Sequence, residues 1–484
     1  MSSLRRSLAF SFGQTYGSYL LGLVGIVVLS RLLTPAEFGV FSVGASIVML
    51  VNAVRDFGIG TFLVQEPELT PAHLRSAVTI AFGISVSCAL GLSAAAVPIA
   101  GFYGEARVAD IVLVLAAGMV VSVVGIPGLS LLRRDLQFDA LAAINLSASV
   151  VQLGVVVALA LLGHGAMSLA WATLAESLFR TTAAILCRPV PGAFRPSLTA
   201  WRSVLAFGGY STATAIINVF HDTLPKLIIG RLLGVVPVGL YGRATMVCAL
   251  PDRMFVSALQ PVMLPAMAEQ ARAGRDLRGP YLLALTHMSA LLWPGLLCLI
   301  LLADPIVRLM LGPQWGEVPP LVRIMALGSL SLFPAFMTFP TMVALGRIRD
   351  TLWMSAISVP PSILVILALS HVSLEAVAAA QIVNAPLQVV VAIVFIRRRL
   401  PIAWSDILRA IRPSAIVAVC AAAMPALMIA LGGFRLDLST PAFVLAILGA
   451  AAGWLAGLAL SGHPMMTEVR QVARMLGRTA RQGG

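Results

Sequence analysis

Residues 31–42 read RLLTPAEFGVFS and residues 231–242 read RLLGVVPVGLYG. Arg-Leu-Leu, then Gly-apolar-aromatic, recurs at an offset of 200 residues. The match extends outward from this junction. Upstream, LAFSFGQTYGSYLLGLVGIVVLSRLL (8–33) corresponds to LAFGGYSTATAIINVFHDTLPKLIIGRLL (205–233). Downstream, GFYGEARVADIVLVLAAG (101–118) corresponds to GPQWGEVPPLVRIMALGS (312–329), and LLRRDLQFDALAAI (131–144) to ALGRIRDTLWMSAI (344–357). Such a long-period internal repeat predicts two copies of one structural unit.

The medium in which those copies fold follows from composition. Of 484 residues, 59% are hydrophobic and 11% charged, with a mean hydropathy of +0.96. That leaves too little polar surface to cover a soluble globule, so the chain belongs in a bilayer. Apolar stretches of about 20 residues, enough to cross about 30 Å of hydrocarbon, recur along its length. They predict an all-α polytopic protein of about fourteen helices, near 9–30, 36–57, 76–101, 108–130, 141–163, 165–187, 204–230, 238–264, 281–303, 320–345, 352–370, 372–396, 411–432 and 441–462. The first apolar run is too long for a signal-peptide h-region and lacks a small-x-small cleavage site, so it reads as an uncleaved span. The repeat then divides the chain into a six-helix lobe (1–200), its copy (201–400), two extra helices (401–462) and a basic tail (463–484). Six is even, so both copies enter from the same side, a parallel repeat with a site between the halves.

The net charge of +13 could suggest nucleic acid, but its distribution has another cause. With the N-terminus cytoplasmic, the inner connections hold Arg75, Arg133, Arg134, Arg188, Arg272, Arg347, Arg397 and many more. The outer ones hold only Arg31, Arg107, Arg231, Arg308 and Arg435. This is the positive-inside pattern; it places both termini in the cytoplasm and leaves no role for nucleic acid. The spacing of Arg470, Arg474 and Arg478 fits either an interfacial helix on anionic lipid or a solvated tail. Five scattered cysteines, no metal-ligand cluster and no phosphate-binding loop give no sign of disulfide, metal or other cofactor.

Locally, Thr34, Pro35 and Glu37 predict a capping box at the second helix, and Gly39 a close helix approach. The second copy has Gly234 and Pro237 in place of Thr34 and Glu37.

RLLTPAEFGVFSVG, RDFGIGTFLVQ (55–65) and LIIGRLLGVVPVGLYGRA (227–244), with the helix order along nearly the whole chain, resemble the polysaccharide transporter family of the multidrug/oligosaccharidyl-lipid/polysaccharide exporter superfamily. The resemblance implies a flippase for lipid-linked sugar repeat units of bacterial inner membranes. Family members often carry a carboxylate five residues before the Gly of the I-G-R stretch. This chain has Pro225 there, with Asp222 three positions earlier.

Ionisable residues inside spans are costly and therefore candidates for function. Glu176 and Arg180 are spaced to pair along one helix face, structurally or functionally. His221, Asp222 and Lys226 share helix 7; Lys226 is near enough to the outer end to snorkel, whereas Asp222 lies deeper. Arg55-Asp56 and Asp252-Arg253 occupy corresponding helices of the two copies, and the first pair can equally be read as interfacial charge near the cytoplasmic end. Arg55, Arg180, Arg243 and Arg253 are the candidate cationic cavity for a diphosphate, and Asp56, Glu176, Asp222 and Asp252 the candidate countercharges or ion-coupling groups. Gln14, Thr15, Tyr16, Asn52, Asn145, Gln152, Asn218 and Asn384 could line an aqueous path or bond between helices.

These residues predict alternating-access flipping of a polyprenyl-diphosphate-linked oligosaccharide, an O-antigen or exopolysaccharide repeat unit. Membrane lipids are expected contacts, and polysaccharide polymerase and co-polymerase proteins candidate partners. Two alternatives stand: a cation-coupled drug exporter of the same superfamily, and a membrane enzyme of polysaccharide assembly. The second finds no catalytic constellation and no large outer loop in the sequence.

Overall fold

The computed structural model describes residue 17, residues 21–254, residue 267 and residues 269–471, the side chains of 206–215, 218, 339 and 348 excepted. Among them there is no β-strand. The first unit comprises residues 1–242 with 310–314, and the second residues 243–309 with 315–484.

In the first unit α1 (Leu21–Leu32) leads to α2 (Pro35–Asp56) through the quoted junction. Thr34 Oγ1 accepts the Glu37 N–H at 3.3 Å and the Glu37 carboxylate accepts the Thr34 N–H at 2.7 Å. Two orphan amides are satisfied at once, and Pro35 fills a first-turn position where no N–H is needed. The box expected from the sequence is therefore formed. α2 ends in two left-handed residues, Phe57 (φ 35°) and Gly58 (φ 62°), and the chain continues directly as α3 (Ile59–Gln65). Together 35–65 make one broken span, so the helix expected over 36–57 is longer by one short segment.

α4 (Pro71–Tyr103), α5 (Arg107–Arg134), α6 (Phe138–Leu161), α7 (Ala166–Cys187) and α8 (Trp201–Leu232) follow. The helix α9 (Val235–Cys248) crosses from one unit to the other. α4 packs on α5, α5 on α7, α6 on α7, and α2 on α8. Close approach is made by small residues, as expected where lipid supplies no hydrophobic drive between helices. A Cβ on Gly128 would stand 2.9 Å from the Ala184 carbonyl oxygen, and one on Gly44 2.7 Å from Ile111.

The repeated junctions meet here. A Cβ on Gly39 would overlap the Val235 carbonyl oxygen, and a Cβ on Gly239 the Pro35 carbonyl oxygen. Each residue of one copy thus meets the residue 200 places away from its own partner's equivalent: Pro35 is to Gly239 as Val235 is to Gly39. That reciprocity is the signature of a two-fold-like contact. Beside it Gln314 donates from Nε2 to the carbonyls of Ser30 and Leu33, the latter at 3.1 Å, closing the end of α1.

The second unit contains the end of α9, then α10 (Arg278–Leu301), α11 (Ala303–Met310, its last residue in the first unit), α12 (Val318–Ser329), α13 (Phe333–Ala344), α14 (Ile348–Leu369), α15 (Leu374–Arg397), α16 (Trp404–Leu431) and α17 (Thr440–Leu460). α12 and α13 form a pair bent by 55° where one helix over 320–345 was expected. α9 is interrupted by a turn at Ala249, and helix resumes over 250–254; residues 255–264 of the expected span lie outside the described residues. Pro251 accounts for that interruption, because its ring opposes the carbonyl four residues back and it has no N–H. On α17, Gly449, Gly453 and Gly457 form a stripe one turn apart. It lies against Met424, Cys420 and Val417 of α16, with the Cys420 carbonyl carbon 2.9 Å from a Cβ at 453. α16 also packs on α10, where Ser289 Oγ donates to Ser414 Oγ at 2.8 Å. The core between α10, α13 and α15 is built on Tyr281, Met288, Phe333, Met337 and Ile396.

Among the described residues nine helices, or ten counting the bent pair, are long and apolar enough to cross a membrane. Of the other expected spans, α1 and α9 are short, and α7 and α8 carry the candidate charges. Leu90, Val97 and Val419 are 66%, 74% and 67% exposed on outward faces; hydrocarbon is the solvent in which such faces carry no penalty.

Candidate functional site

Arg55 stands in the last turn of α2, immediately before the left-handed break. Its Nη1 donates to the Met119 carbonyl at 3.1 Å and to Ser122 Oγ at 2.6 Å, and its Nη2 pairs with Asp56 at 2.9 Å. Met119 lies twelve residues from Arg107 and Ser122 twelve from Arg134, so the guanidinium sits about 18 Å along α5 from either end. That is mid-helix, and the reading of Arg55-Asp56 as charge near the cytoplasmic end is corrected. The cause is α3: the span continues past the pair. The Arg55 side chain is 13% exposed, whereas the Asp56 side chain is 68% exposed and faces outward from the unit.

The Glu176–Arg180 pair forms as the spacing predicts, at 3.2 Å. Thr181, next to Arg180, donates to the Val121 carbonyl at 3.2 Å, which brings α7 to the same level of α5 that Arg55 reaches. Arg55 and the turn of α7 that carries Arg180 thus reach α5 at one level. Asp222 is exposed on α8, ten residues before its end at Leu232, or about 15 Å along the axis. Lys226 lies one turn beyond it and partly buried.

In the second unit Arg243 is 7% exposed and lies with its guanidinium 5.5 Å from the ring centre of Trp315, itself fully buried. Its Nη1 is 3.3 Å from the Met246 sulfur. A guanidinium over an indole is held there by the ring quadrupole and dispersion. Asp252 is partly buried, its Oδ1 enclosed and without a hydrogen-bond partner among the described residues; Arg253 beside it is exposed. Both follow the turn at Ala249, whereas Arg55-Asp56 precede the break at Phe57. The two charged dipeptides therefore do not hold equivalent places in their helices.

Of the uncharged candidates, Asn384 is buried and donates to the Ser362 carbonyl at 3.3 Å, a bond between α14 and α15. Asn52, Asn145 and Gln152 are half-buried. Gln14, Thr15, Tyr16, the Asn218 side chain and the tail residues Arg474 and Arg478 lie outside the described residues. An open crevice of about 240 Å³ between the inner ends of α5 and α7 is lined by Val124, Pro127, Ile185 and Phe194 with Arg188. It holds none of the candidate charges, and the arginine in its lining, Arg188, is paired with Asp135 at 3.1 Å.

Sequence reading missed two positions. Arg134 donates from Nη1 to the carbonyls of Leu63 and Val64, both at 3.3 Å, and from Nη2 to Pro67 at 3.1 Å, capping the free end of α3. It had been counted only as topology. The second is Trp315 beneath Arg243. Both residues lie in repeated motifs, GPQWGE and GLYGRA, and that shared membership was the available signal. Outside the spans, Glu105 of the matching GFYGEA motif accepts both Nε and Nη2 of Arg107 at 2.9 Å. That fork holds its carboxyl below the usual carboxylate range.

A family model described as polysaccharide biosynthesis protein matches residues 28–320. The succinoglycan biosynthesis transport protein ExoT of Rhizobium meliloti is 25% identical over 73% of this chain and 72% of its own. The lipopolysaccharide biosynthesis protein WzxC of Escherichia coli is 25% identical over 64% of this chain and 63% of its own. Among solved structures, the lipid II flippase MurJ in an inward closed conformation superposes with a TM-score of 0.75 at 14% identity, covering 94% of this chain and 98% of that one. A multidrug resistance MATE family transporter in an inward-facing conformation gives 0.61 at 15% identity, covering 81% and 94%. At these identities the structures speak for the fold alone, a polytopic all-α transporter architecture. The family match covers more than half of the sequence, and the chain belongs to the polysaccharide biosynthesis protein family.

Proposed function

We propose that this chain is a flippase that moves a polyprenyl-diphosphate-linked oligosaccharide, an O-antigen or exopolysaccharide repeat unit, across the bacterial inner membrane. It does so by alternating access between lobes 1–200 and 201–400, with both termini cytoplasmic, and it makes and breaks no covalent bond in its cargo. The names of the family relatives support the cargo class. The observation that supports the mechanism is Arg55, a guanidinium held at mid-length of an apolar helix and paired at 2.9 Å with Asp56, a carboxylate that is itself exposed and so able to yield its place to a cargo phosphate. A diphosphate crossing a low-dielectric interior needs fixed positive charge near the middle of its path. Arg55, Arg180, Arg243 and Arg253 supply it; Asp56, Glu176, Asp222 and Asp252 act as countercharges or coupling groups. Asp252, with its enclosed unpartnered oxygen, is the strongest candidate for taking up a proton or cation.

The test is flipping of lipid-linked repeat units in proteoliposomes and in a deletion strain. Loss of the protein should leave repeat units on the cytoplasmic face. Changing all four arginines to Gln should abolish their transfer while the protein is still made; undiminished transfer by that variant would sink the cationic-path mechanism. Dye resistance on overexpression, with no repeat-unit defect, would favour the cation-coupled exporter. The polysaccharide polymerase and co-polymerase would be recovered with the flippase on crosslinking.

A further inference from the structure

The turn between α15 and α16, RRRLPIAW (397–404), carries chemistry that flipping does not use. The turn is rigid: Leu400 and Ile402 are buried in the core of the second unit, and the Leu400 N–H bonds the Ile396 carbonyl at 2.8 Å. Three neighbouring arginines are already committed. Arg399 forks onto Asp350 with Nε at 3.1 Å and Nη2 at 2.8 Å, while Arg278 and Arg409 pair with Asp406 at 2.9 and 3.0 Å. These two carboxylates leave Arg397 and Arg398 with no acid at ion-pair distance among the described residues.

Arg397 is nevertheless fixed. Its Nε donates to the Ile402 carbonyl at 2.9 Å, and its guanidinium lies 5.7 Å from the ring centre of Trp404. An arginine held by Nε and by an aromatic face presents both terminal amino groups in a set orientation, which suits an oxyanion. Trp404 is 42% exposed, as an indole at a membrane interface would be. Arg398 stands one turn beyond Val394 on α15, and Val394 one turn beyond Val390, both exposed apolar residues. An anion-binding head therefore continues into an aliphatic stripe running into the bilayer.

We propose that Arg397, Arg398 and Trp404 form a binding site for the headgroup of an anionic phospholipid of the adjoining leaflet, with an acyl chain laid along Val394 and Val390. Charge complementarity selects the phosphate, and the stripe selects a lipid over a free ion. The site stands apart from the proposed flipping path and does not depend on it.

The experiment uses the full chain in phosphatidylcholine nanodiscs, titrated with phosphatidylglycerol bearing brominated acyl chains. Quenching of the Trp404 signal, isolated by subtracting the Trp404→Phe protein, should appear at much lower mole fraction for brominated phosphatidylglycerol than for brominated phosphatidylcholine. The double variant Arg397→Gln, Arg398→Gln should weaken that preference about thirtyfold, and Arg435→Gln, in the α16–α17 connection, should leave it unchanged. Equal quenching by the two lipids overturns the proposal, and this arm needs only native arginines, so a misfolded double variant does not rescue it. Retention of the preference by a folded double variant also overturns it. Competition by inorganic phosphate alone at equal strength would show that the stripe takes no part. Exclusive competition by polyprenyl diphosphate would reassign the site to the cargo.

Discussion

The glycine crossing gives the sharpest quantitative expectation. An alanine at 39 would set its Cβ 2.6 Å from the Val235 carbonyl carbon and 3.3 Å from the Gly239 nitrogen; ordinary contact begins near 3.4 Å. The helices must therefore separate by about 0.8 Å on the carbon contact alone, the difference between 2.6 and 3.4 Å, and by more for the carbonyl oxygen. The obstacle is backbone on both sides, which has no rotamer to change. Overpacking of this kind costs about 1–3 kcal/mol, less the roughly 0.5–1 kcal/mol that alanine returns in helix propensity. A net loss of about 1 kcal/mol is expected for Gly39→Ala and for Gly239→Ala. Gly242, one turn further on α9, has nothing within 4 Å of its Cβ position, and Gly242→Ala should be neutral or slightly stabilising. Because the two sites share one contact, the double variant should lose less than the sum of the singles. Reversible unfolding of the purified protein in mixed detergent measures all four. If Gly39→Ala and Gly239→Ala are as stable as Gly242→Ala, the two junctions do not meet as described.

Three further expectations follow from particular contacts. Arg134→Ala strips the cap from α3 and should cost about 1.5–3 kcal/mol, read as new protease cleavage between 63 and 70 with the rest of the chain intact. His463, in the turn after α17 and 1% exposed, accepts the Met465 N–H at Nδ1 (3.1 Å) and meets Ser414 Oγ through Nε2 (3.2 Å), an arrangement of the neutral ring. Burial, with a lesser contribution from His287, pushes its pKa below the ordinary histidine value. The unfolded chain thus binds the proton more readily, so stability is full above about pH 6.5 and falls as pH drops below it; His463→Gln should flatten the pH dependence of the melting temperature. For Glu176–Arg180, Glu176→Gln alone should impair flipping less than Arg180→Gln if the arginine serves the cargo, and the two should be equal if the pair is structural; single-turnover flipping separates the cases.

Most of the architecture was legible because it is written in periodicity and repetition. The capping box needed only Thr34, Pro35 and Glu37, and the Glu176–Arg180 pair only a spacing of four. What escaped were features set by backbone conformation or by distant packing. Nothing in VRDFGIG states that Phe57 takes a left-handed φ, yet that residue and Gly58 turn a terminus into a mid-span break and carry Arg55 to the middle of α5. The interruption at Ala249 was signalled by Pro251, but proline is common inside these helices, at 98, 127, 225 and 294 among others, where the helix runs on unbroken. Arg134 looked like topology because an inward-biased arginine and a helix-capping arginine are the same residue at the same depth.

The duplication now explains why the junction is kept while the charges drift. A reciprocal contact ties each copy's glycine to the other copy's carbonyl, so neither Gly39 nor Gly239 can change alone without loss. Thr34 and Glu37 cap one helix and touch no counterpart, and the second copy lacks them freely. The charged dipeptides are under a third rule. Under the proposed flipping mechanism they serve the cargo and not the fold, and the copies place them on opposite sides of their helix breaks: Arg55-Asp56 before Phe57, Asp252-Arg253 after Ala249. Under that proposal, glycines that hold the scaffold keep their spacing of 200 residues, and arginines that meet the cargo need not.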